Sequence, residues 1–223
     1  MTMLAVKDVQ YTYQSKYQKV HALKGVSCTF EEGKFYAIVG RSGSGKTTLL
    51  SMLAGLDVTT DGEILVDGKA LKEADCATHR REHVSVIYQS FNLFPTLNLL
   101  ENVTYPMGLM GKPMKESKEK AKELLAAVGL DDVDPRKLPA MLSGGQQQRV
   151  AIARALASGA KIILADEPTG NLDSENGKLI VDLLRRLVDE QGYCVIVVTH
   201  DMEIASQADE VYRMKDGVLD PDW

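Results

Sequence analysis

Residues 35–55 read FYAIVGRSGSGKTTLLSMLAG, which is an apolar run, a glycine-rich loop and a helical pattern in direct succession. Gly40, Gly45, Lys46 and Thr47 match the G-x-x-x-x-G-K-[ST] spacing of a phosphate-binding loop. Glycines let backbone N–H groups approach an anion, the lysine reaches the β- and γ-phosphates, and the hydroxyl ligates Mg²⁺. The alternative is a glycine-rich turn with a chance lysine. A strand before the loop and a helix after it favour a nucleotide site.

The rest of the chain alternates between strand and helix patterns. Apolar runs predict buried strands at 35–39, 84–88, 161–166 and 194–199. Helical patterns cover 46–55, about 115–128, about 145–157 and 176–190. Such alternation is typical of an α/β fold with a parallel sheet. Further strands are expected around Val6, Val26 and 64–66, and a mostly helical subdomain at about 90–158.

Length, net charge and cysteine content narrow the class of protein and its setting. The 223 residues suit one large domain, 1–223, and a net charge of −5 argues against nucleic acid as a partner. Cys28, Cys76 and Cys194 are scattered, which predicts reduced, buried thiols and a cytosolic setting. No run approaches the ~18 apolar residues of a membrane span, and no signal peptide is evident. We therefore expect a cytoplasmic chain that reaches a membrane only through a partner.

The predicted strand at 161–166 ends in Asp166, and a second acid, Glu167, follows it. Asp166 lies where a carboxylate organises Mg²⁺ at the carboxyl edge of a sheet, and Glu167 can activate a water that attacks the γ-phosphate. A solvated acidic turn before Pro168 is the alternative. The presence of the phosphate-binding loop favours catalysis.

LSGGQ at 142–146 precedes a strong helix pattern and predicts a second anion site. An ordinary helix N-cap with flexible glycines is the alternative. One nucleotide needs only one phosphate-binding site. Two anion sites in one chain therefore suggest a two-fold symmetric homodimer. In it, each copy's 142–146 segment closes over the phosphates held by the other's Lys46.

These motifs, with Gln89, NLD at 171–173 and VTH at 198–200, occur in the order and spacing of ATP-binding cassette proteins, which the chain resembles over nearly its whole length. The resemblance implies ATP and Mg²⁺ as cofactors and an ATPase with a P-loop NTPase core, an antiparallel β subdomain and a helical subdomain. The implied phosphate-binding residues are Gly40, Arg41, Ser42, Gly43, Ser44, Gly45, Lys46, Thr47 and Thr48. The implied Mg²⁺ contacts are Thr47, Gln89 and Asp166.

The resemblance also assigns catalytic roles and contacts with a second copy. Glu167 is implied as the general base and His200 as a γ-phosphate contact, with Lys46 and Gln89 completing the catalytic set. The signature residues implied to act on the partner's nucleotide are Ser143, Gly144, Gly145 and Gln146. Asp173 is implied to lie near the nucleotide, in the loop that bridges the two subunits.

Tyr13 resembles the aromatic residue on which this family stacks adenine. Tyr11 and Tyr17 are close in sequence, and a core or surface tyrosine is the alternative reading. His21, His79 and His83 match no motif and are expected at the surface.

The apolar residues that follow Gln89, in QSFNLFPTLNLLENV at 89–103, form an unusually apolar loop. Family members receive the coupling helices of a permease there, although a seam between two lobes is the alternative. The strings FNLFPTLNLLENV and LADEPTGNLD resemble the subfamily serving macrolide, lipoprotein and antimicrobial-peptide exporters and the cell-division cassette. We therefore expect a subunit that powers a separate permease at the inner face of the membrane. The alternatives are a non-transporting signalling or cell-division complex and a soluble mechanoenzyme.

Overall fold

The computed structural model describes residues 1–14 and 19–220. Its strands are β1 (Thr2–Gln14), β2 (Lys19–Glu31), β3 (Phe35–Val39), β4 (Asp61–Val66), β5 (Lys69–Ala70), β6 (Val84–Tyr88), β7 (Ile162–Asp166), β8 (Cys194–Thr199), β9 (Glu210–Lys215) and β10 (Val218–Leu219). Its α-helices are α1 (Lys46–Leu53), α2 (Cys76–Glu82), α3 (Leu99–Leu109), α4 (Met114–Ala127), α5 (Gly144–Ala157), α6 (Ser174–Gln191) and α7 (Met202–Ala205). Short 3-10 turns cover Glu73–Asp75 and Pro139–Met141.

The strands form two sheets. The central sheet has the order β10–β9–β3–β8–β7–β6, with only β10 antiparallel to its neighbour among the described strands. The second sheet is antiparallel, in the order β2–β1–β4–β5. The four predicted buried strands and the extra early strands are therefore confirmed.

The side chains of the central sheet alternate between two cores, which explains why its strands are apolar throughout. In β8, Val195 and Val197 pack with α3, α4, α5 and α6 on one face. Cys194, Ile196 and Val198 pack with α1 and the antiparallel sheet on the other. All three cysteines are buried and unpaired, as expected.

In the segment at 89–103, the apolar residues Phe91, Leu93, Phe94 and Leu97 lie in a loop, as expected. From Leu99 the chain is helical, and a capping box begins α3: the Asn98 side chain accepts from the N–H of Glu101, whose carboxylate accepts from the N–H of Asn98. This N-x-x-E signal was present in the sequence. Between β6 and β7, the chain forms α3, α4 and α5, and these helices share a core with the central sheet.

The topology brings the motifs to one edge. The phosphate-binding loop follows β3, Asp166 ends β7, His200 follows β8 and Gln89 follows β6. Because these strands are parallel neighbours, their carboxyl ends open into one crevice, where open α/β sheets bind ligands.

Candidate nucleotide-hydrolysing site

The loop at 40–45 is shaped by glycines whose positions exclude side chains. Gly45 is the N-cap of α1 with φ +108°, in the left-handed region that glycine favours. A Cβ on Gly40 would lie 2.2 Å from the carbonyl oxygen of Met214 in β9. The loop is thus seated against β9, with its N–H groups at the start of α1, where the helix dipole favours an anion.

Lys46 is buried at the base of this loop. Its Nζ donates to the carbonyl oxygens of Gly40 and Arg41, at 2.8 and 3.1 Å. The ammonium group is therefore held by the loop itself, beside the cleft that phosphates would enter.

A groove of about 900 Å³ runs past this loop. The predicted site residues that line it are Tyr13, Arg41, Ser42, Gly43, Gly45, Lys46, Thr47, Thr48, Gln89, Asp166, Glu167 and His200. Gly40 and Ser44 line an adjoining groove on the other side of the loop. A groove of this size, lined by lysine, glycine and hydroxyl groups and by an aromatic ring, fits a nucleoside triphosphate.

The residues predicted to hold Mg²⁺ come together in this groove. The Thr47 hydroxyl lies 3.4 Å from Oδ1 of Asp166. Burial, and then the charge of Glu167, raise the pKa of the Asp166 carboxyl. Within the described residues no group of three or more His, Cys, Asp or Glu side chains could cage a metal. One hydroxyl, one carboxylate and the amide oxygen of Gln89 suit Mg²⁺, which takes few protein oxygens and completes its shell with phosphates and water.

Glu167 is held in a specific orientation. Its backbone has φ +46°, and its N–H donates to the carbonyl oxygen of Val198 in the neighbouring strand. Its carboxylate accepts from the Thr199 hydroxyl at 3.2 Å, and His200 Nδ1 lies 2.9 Å from Oε1. A left-handed backbone costs a non-glycine residue about 1–2 kcal/mol. The structure thus places a carboxylate and an imidazole in direct contact beside Asp166.

The signature segment lies apart from the groove. Ser143 is the N-cap of α5 and forms a capping box with Gln146, in which each side chain accepts from the other's backbone N–H, at 3.3 and 3.1 Å. A Cβ on Gly145 would lie 2.2 Å from Oδ1 of Asn176 in α6. Among the described residues, none of 143–146 lines the groove around Lys46.

Asp173 is the N-cap of α6, and Asn176 binds it. The N–H and the side-chain amide of Asn176 both donate to the Asp173 carboxylate, at 2.8 to 3.0 Å. Hydrogen bonds from the backbone and then the side chain of Asn176 lower the pKa of Asp173. Asn176 therefore contacts both Gly145 and Asp173, a connection that no motif indicated.

Tyr13, on β1, lines the groove beside the phosphate-binding loop. Its hydroxyl is 3.3 Å from the Thr48 hydroxyl, and its ring meets Tyr11 edge to face at 4.9 Å. The ring of Tyr13 is nearly half exposed and is open to a ligand. Tyr17 lies outside the described residues.

The histidines divide into two groups. His21 and His83 are exposed, as expected, although His21 also lines the groove. The expectation for His79 was wrong: it is 2 % exposed, and its Nε2 donates to the carbonyl oxygen of Leu53 at the end of α1, 2.8 Å away. Burial lowers the pKa of His79, so the ring is neutral there. A single histidine in the polar helix α2, CATHRRE, gives no sequence signal for this role.

Sequence reasoning also missed residues that support the site. Thr199 binds Glu167, and the Asn171 side chain donates to the carbonyl of Gln89 while its Oδ1 accepts from the Gln89 amide. Both lie inside quoted motifs, VTH and NLD, so proximity to the motifs was the available signal.

A phosphate-binding loop on a parallel sheet, with two carboxylates and a histidine at the same edge, defines a P-loop enzyme that hydrolyses nucleotides. Comparison with known proteins narrows this class. The family model described as ABC transporter matches residues 23–170. An uncharacterised ABC transporter ATP-binding protein, YclH of Bacillus subtilis, is 42 % identical and aligns over 97 % of this chain and 95 % of its own. The macrolide export ATP-binding/permease protein MacB of Shigella flexneri is 44 % identical over 97 % of this chain, which spans 34 % of that protein.

Solved structures similar to this chain belong to the same kind of protein. A dimeric structure of MJ0796, described as a bacterial ABC transporter cassette, superposes with a TM-score of 0.89 at 41 % identity and covers 98 % of this chain and 97 % of that one. A second dimeric structure of MJ0796, in a post-hydrolysis state bound to ADP and Pi, gives the same TM-score at 40 % identity, with the same coverage. The chain belongs to the ABC transporter family, as an ATP-binding cassette, and it is an ATPase. In the described part of the chain, no helix is long and apolar enough to cross a membrane.

Proposed function

We propose that two copies of this chain enclose two ATP molecules, and that closing and hydrolysis drive a separate membrane permease. The observation that carries the dimer is the separation, within one copy, of the groove around Lys46 from the signature at 143–146. A second copy, related by a two-fold axis, supplies the missing signature. The dimeric MJ0796 structures support this arrangement.

The phosphates occupy the loop at 40–48, where Lys46 exchanges its carbonyl partners for phosphate oxygens. A bound Mg²⁺ neutralises phosphate charge, and Thr47, Gln89 and Asp166 would hold it. Tyr13 stacks on the adenine. These contacts position the γ-phosphate at the carboxyl edge of the central sheet, beside Glu167.

Glu167 acts as the general base. A water oxygen bonds to the γ-phosphorus, the bond from phosphorus to the ADP oxygen breaks, and the Glu167 carboxylate accepts the water's proton. Because Oε1 of Glu167 lies 2.9 Å from Nδ1 of His200, Nδ1 donates to the carboxylate. His200, which lines the same groove as Lys46, is proposed to contact the γ-phosphate.

Glu167→Gln tests the enclosed dimer, because the amide keeps the size of the side chain but accepts a proton poorly. Loss of a general base costs on the order of 10²–10⁴ in rate, so ATP should stay bound and the dimer should persist. Size-exclusion chromatography with light scattering should show a dimer with Mg-ATP and a monomer without it. Adding Ser143→Arg, which places bulk and charge at the signature, should leave a monomer that still binds ATP. A Glu167→Gln protein that stays monomeric at saturating ATP would contradict the proposal.

The permease is proposed as a separate chain that contacts residues 89–103 and holds the cassette at the inner face of the membrane. The surface around Phe94 is apolar and exposed, and the MacB relatives, named as ATP-binding/permease proteins, support a permease partner. YclH, which is named as an ATP-binding protein and aligns over 95 % of its own length, supports a permease on a separate chain. The macrolide export named for MacB supports export over import. The wider substrate range proposed here, peptides, lipoproteins or drugs, rests on the motif resemblance described above. The helical subdomain at about 90–158 would carry both this contact and the signature.

Phe94→Asp tests the permease contact. The backbone N–H and carbonyl of Phe94 are both bonded to Asn102, so the loop is held without the ring. The variant should therefore hydrolyse ATP on its own but fail to co-purify with the membrane subunit. Leu179→Asp, at an exposed apolar position on α6, is the matched control. Full co-purification of the Phe94→Asp protein, or a comparable loss in the control, would contradict this contact.

A further inference from the structure

The surface around Phe94 is a groove of about 340 Å³ lined mainly from β6, α3 and α5. Its apolar side chains are unusually open: Leu56 is 48 %, Phe94 37 % and Tyr105 43 % exposed. Among its described lining residues, the only charged side chains are Arg80 and Arg154. The described lining of the groove is therefore positively charged, with two arginines and no carboxylate, although the chain as a whole has a net charge of −5.

Both guanidinium groups bind backbone carbonyls rather than carboxylates. Arg154 donates to the carbonyl oxygens of Asn92 and Phe91, at 2.7 and 3.1 Å, and Arg80 donates to that of Gly55. No salt bridge to either arginine occurs in the part of the chain that the structure describes. Burial already lowers the pKa of Arg154. A partner that covers the groove removes more water from both cations, which is unfavourable unless the partner supplies an anion.

The geometry also sets the spacing that a partner must have. The Arg154 guanidinium carbon lies 5.7 Å from the centre of the Phe94 ring, and that ring packs on Tyr105 at 4.6 Å. Side chains one turn apart on a helix have Cβ atoms about 5–6 Å apart. A helix can therefore place one side chain at Arg154 and the next, one turn away, on the aromatic pair. Arg80 lines the same groove.

The groove is connected to the signature. The carbonyls that Arg154 holds belong to Phe91 and Asn92, both in the left-handed region with φ +60° and +49°. A Cβ on Gly144 would lie 3.6 Å from Cζ of Phe91. The loop after Gln89 thus contacts α5 at its first turn and at Arg154, so a new partner for Arg154 acts on the helix that Ser143 caps.

We propose that the permease segment in this groove is a short cytoplasmic helix with an acidic side chain that pairs with Arg80 and Arg154, and with a large apolar side chain three or four residues away that packs on Phe94 and Tyr105. This inference rests on the proposed function, because it gives the chemistry of the same permease contact. The cassette thus recognises one acidic and one apolar side chain of the partner at a fixed spacing. Because Arg154 lies on α5, the acidic side chain also binds that helix.

Photo-crosslinking identifies the occupant. The photoreactive residue p-benzoylphenylalanine replaces Leu56 at the groove edge, and, as a control, Leu179 on α6. The full-length protein is irradiated in its native membranes, and crosslinked peptides are sequenced by mass spectrometry. The expected product, from position 56 only, is a loop of an integral membrane protein with Asp or Glu three or four residues from a large apolar residue. A membrane loop without that acid overturns this inference and leaves the proposed function standing. Crosslinks only to lipid or to soluble proteins contradict both.

Charge exchange tests the pairing. The identified acid is changed to Arg, and Arg80 is changed to Glu, each alone and together, while Arg154 is kept because it holds the loop. Each single change should lower co-purification at least tenfold, and the double change should restore it to within about threefold of the original. Arg80→Gln, which removes charge without reversing it, should give an intermediate loss, and melting temperatures check folding. No recovery in the double variant, with both chains folded, overturns the inference.

Discussion

Replacing Ser143 with Asn or with Asp changes the charge that faces the second copy while keeping a capping side chain at the start of α5. In the structure, the Ser143 hydroxyl accepts from the N–H of Gln146, and the Gln146 side chain accepts from the N–H of Ser143. Asn, Asp and Ser are comparable N-caps, whereas Ala at such a position costs about 1 kcal/mol. The two substitutions should therefore leave the stability of the monomer nearly unchanged.

Their effect on the closed dimer should differ greatly. If Ser143 faces the partner's γ-phosphate, the carboxylate introduced by Ser143→Asp opposes a phosphate charge. Two unit charges of like sign 4 Å apart repel by about 4 kcal/mol at an effective dielectric constant near 20. That energy corresponds to about a 10³-fold loss of affinity at each site, and a dimer has two sites. The neutral Ser143→Asn variant loses only the fit of the hydroxyl.

Both substitutions are made in the Glu167→Gln background, so that hydrolysis does not open the dimer. Light scattering with Mg-ATP, over a range of protein concentrations, gives the dimer dissociation constant, and thermal unfolding without nucleotide checks the cap. Ser143→Asp should stay monomeric at concentrations where Ser143→Asn dimerises. Equal dimerisation of the two variants, at matched melting temperatures, would refute the placement of Ser143 at the partner's phosphate. Ser143 would then be only a helix cap.

Three further predictions concern the groove and its support. Lys46→Ala should abolish hydrolysis and weaken ATP binding, because it removes the cation at the phosphates; steady-state ATPase activity equal to that of the unmodified protein would contradict it. Asp166→Asn should raise the melting temperature of the nucleotide-free protein at pH 8. Burial and Glu167 raise the Asp166 pKa, so the charged form opposes folding above that pKa, and the gain should shrink as the pH falls through it; a gain that is independent of pH would be inconsistent. Gly145→Ala should displace Asn176 and impair ATP-dependent dimerisation of the Glu167→Gln protein, even though alanine favours a helix by about 1 kcal/mol over glycine. Normal dimerisation would show that α5 and α6 separate freely.

The chemistry of the site could be predicted from the sequence because it is encoded in short, contiguous motifs. The loop at 40–48, the acids at 166–167 and the histidine at 200 each lie directly after an apolar strand, and parallel strands bring such positions together without further information. The helix after the loop could be bounded as well. Gly55 has φ +61°, and the hydrogen bonds around it close α1 as its position predicted.

The connections between motifs could not be predicted, since they join positions distant in sequence. Asn176 contacts Gly145 across 31 residues, and Arg154 reaches Phe91 and Asn92 across about 60. Neither asparagine nor arginine on a helix surface differs in sequence pattern from a solvated residue. The strand Glu210–Lys215 was missed because its sequence, EVYRMK, has no apolar run; Met214 is its one buried residue.

The spacing along α5 has a consequence for the size of movement that a partner must cause. Eleven residues separate Ser143 from Arg154, which is a lever arm of about 16 Å at 1.5 Å per helical residue. A tilt of about 5° about Arg154 would displace Ser143 by roughly 1.4 Å on that geometry. Hydrogen bonds are made or lost within about 0.5 Å. A rotation of a few degrees would thus be enough to align or misalign the start of α5 with the other copy's nucleotide.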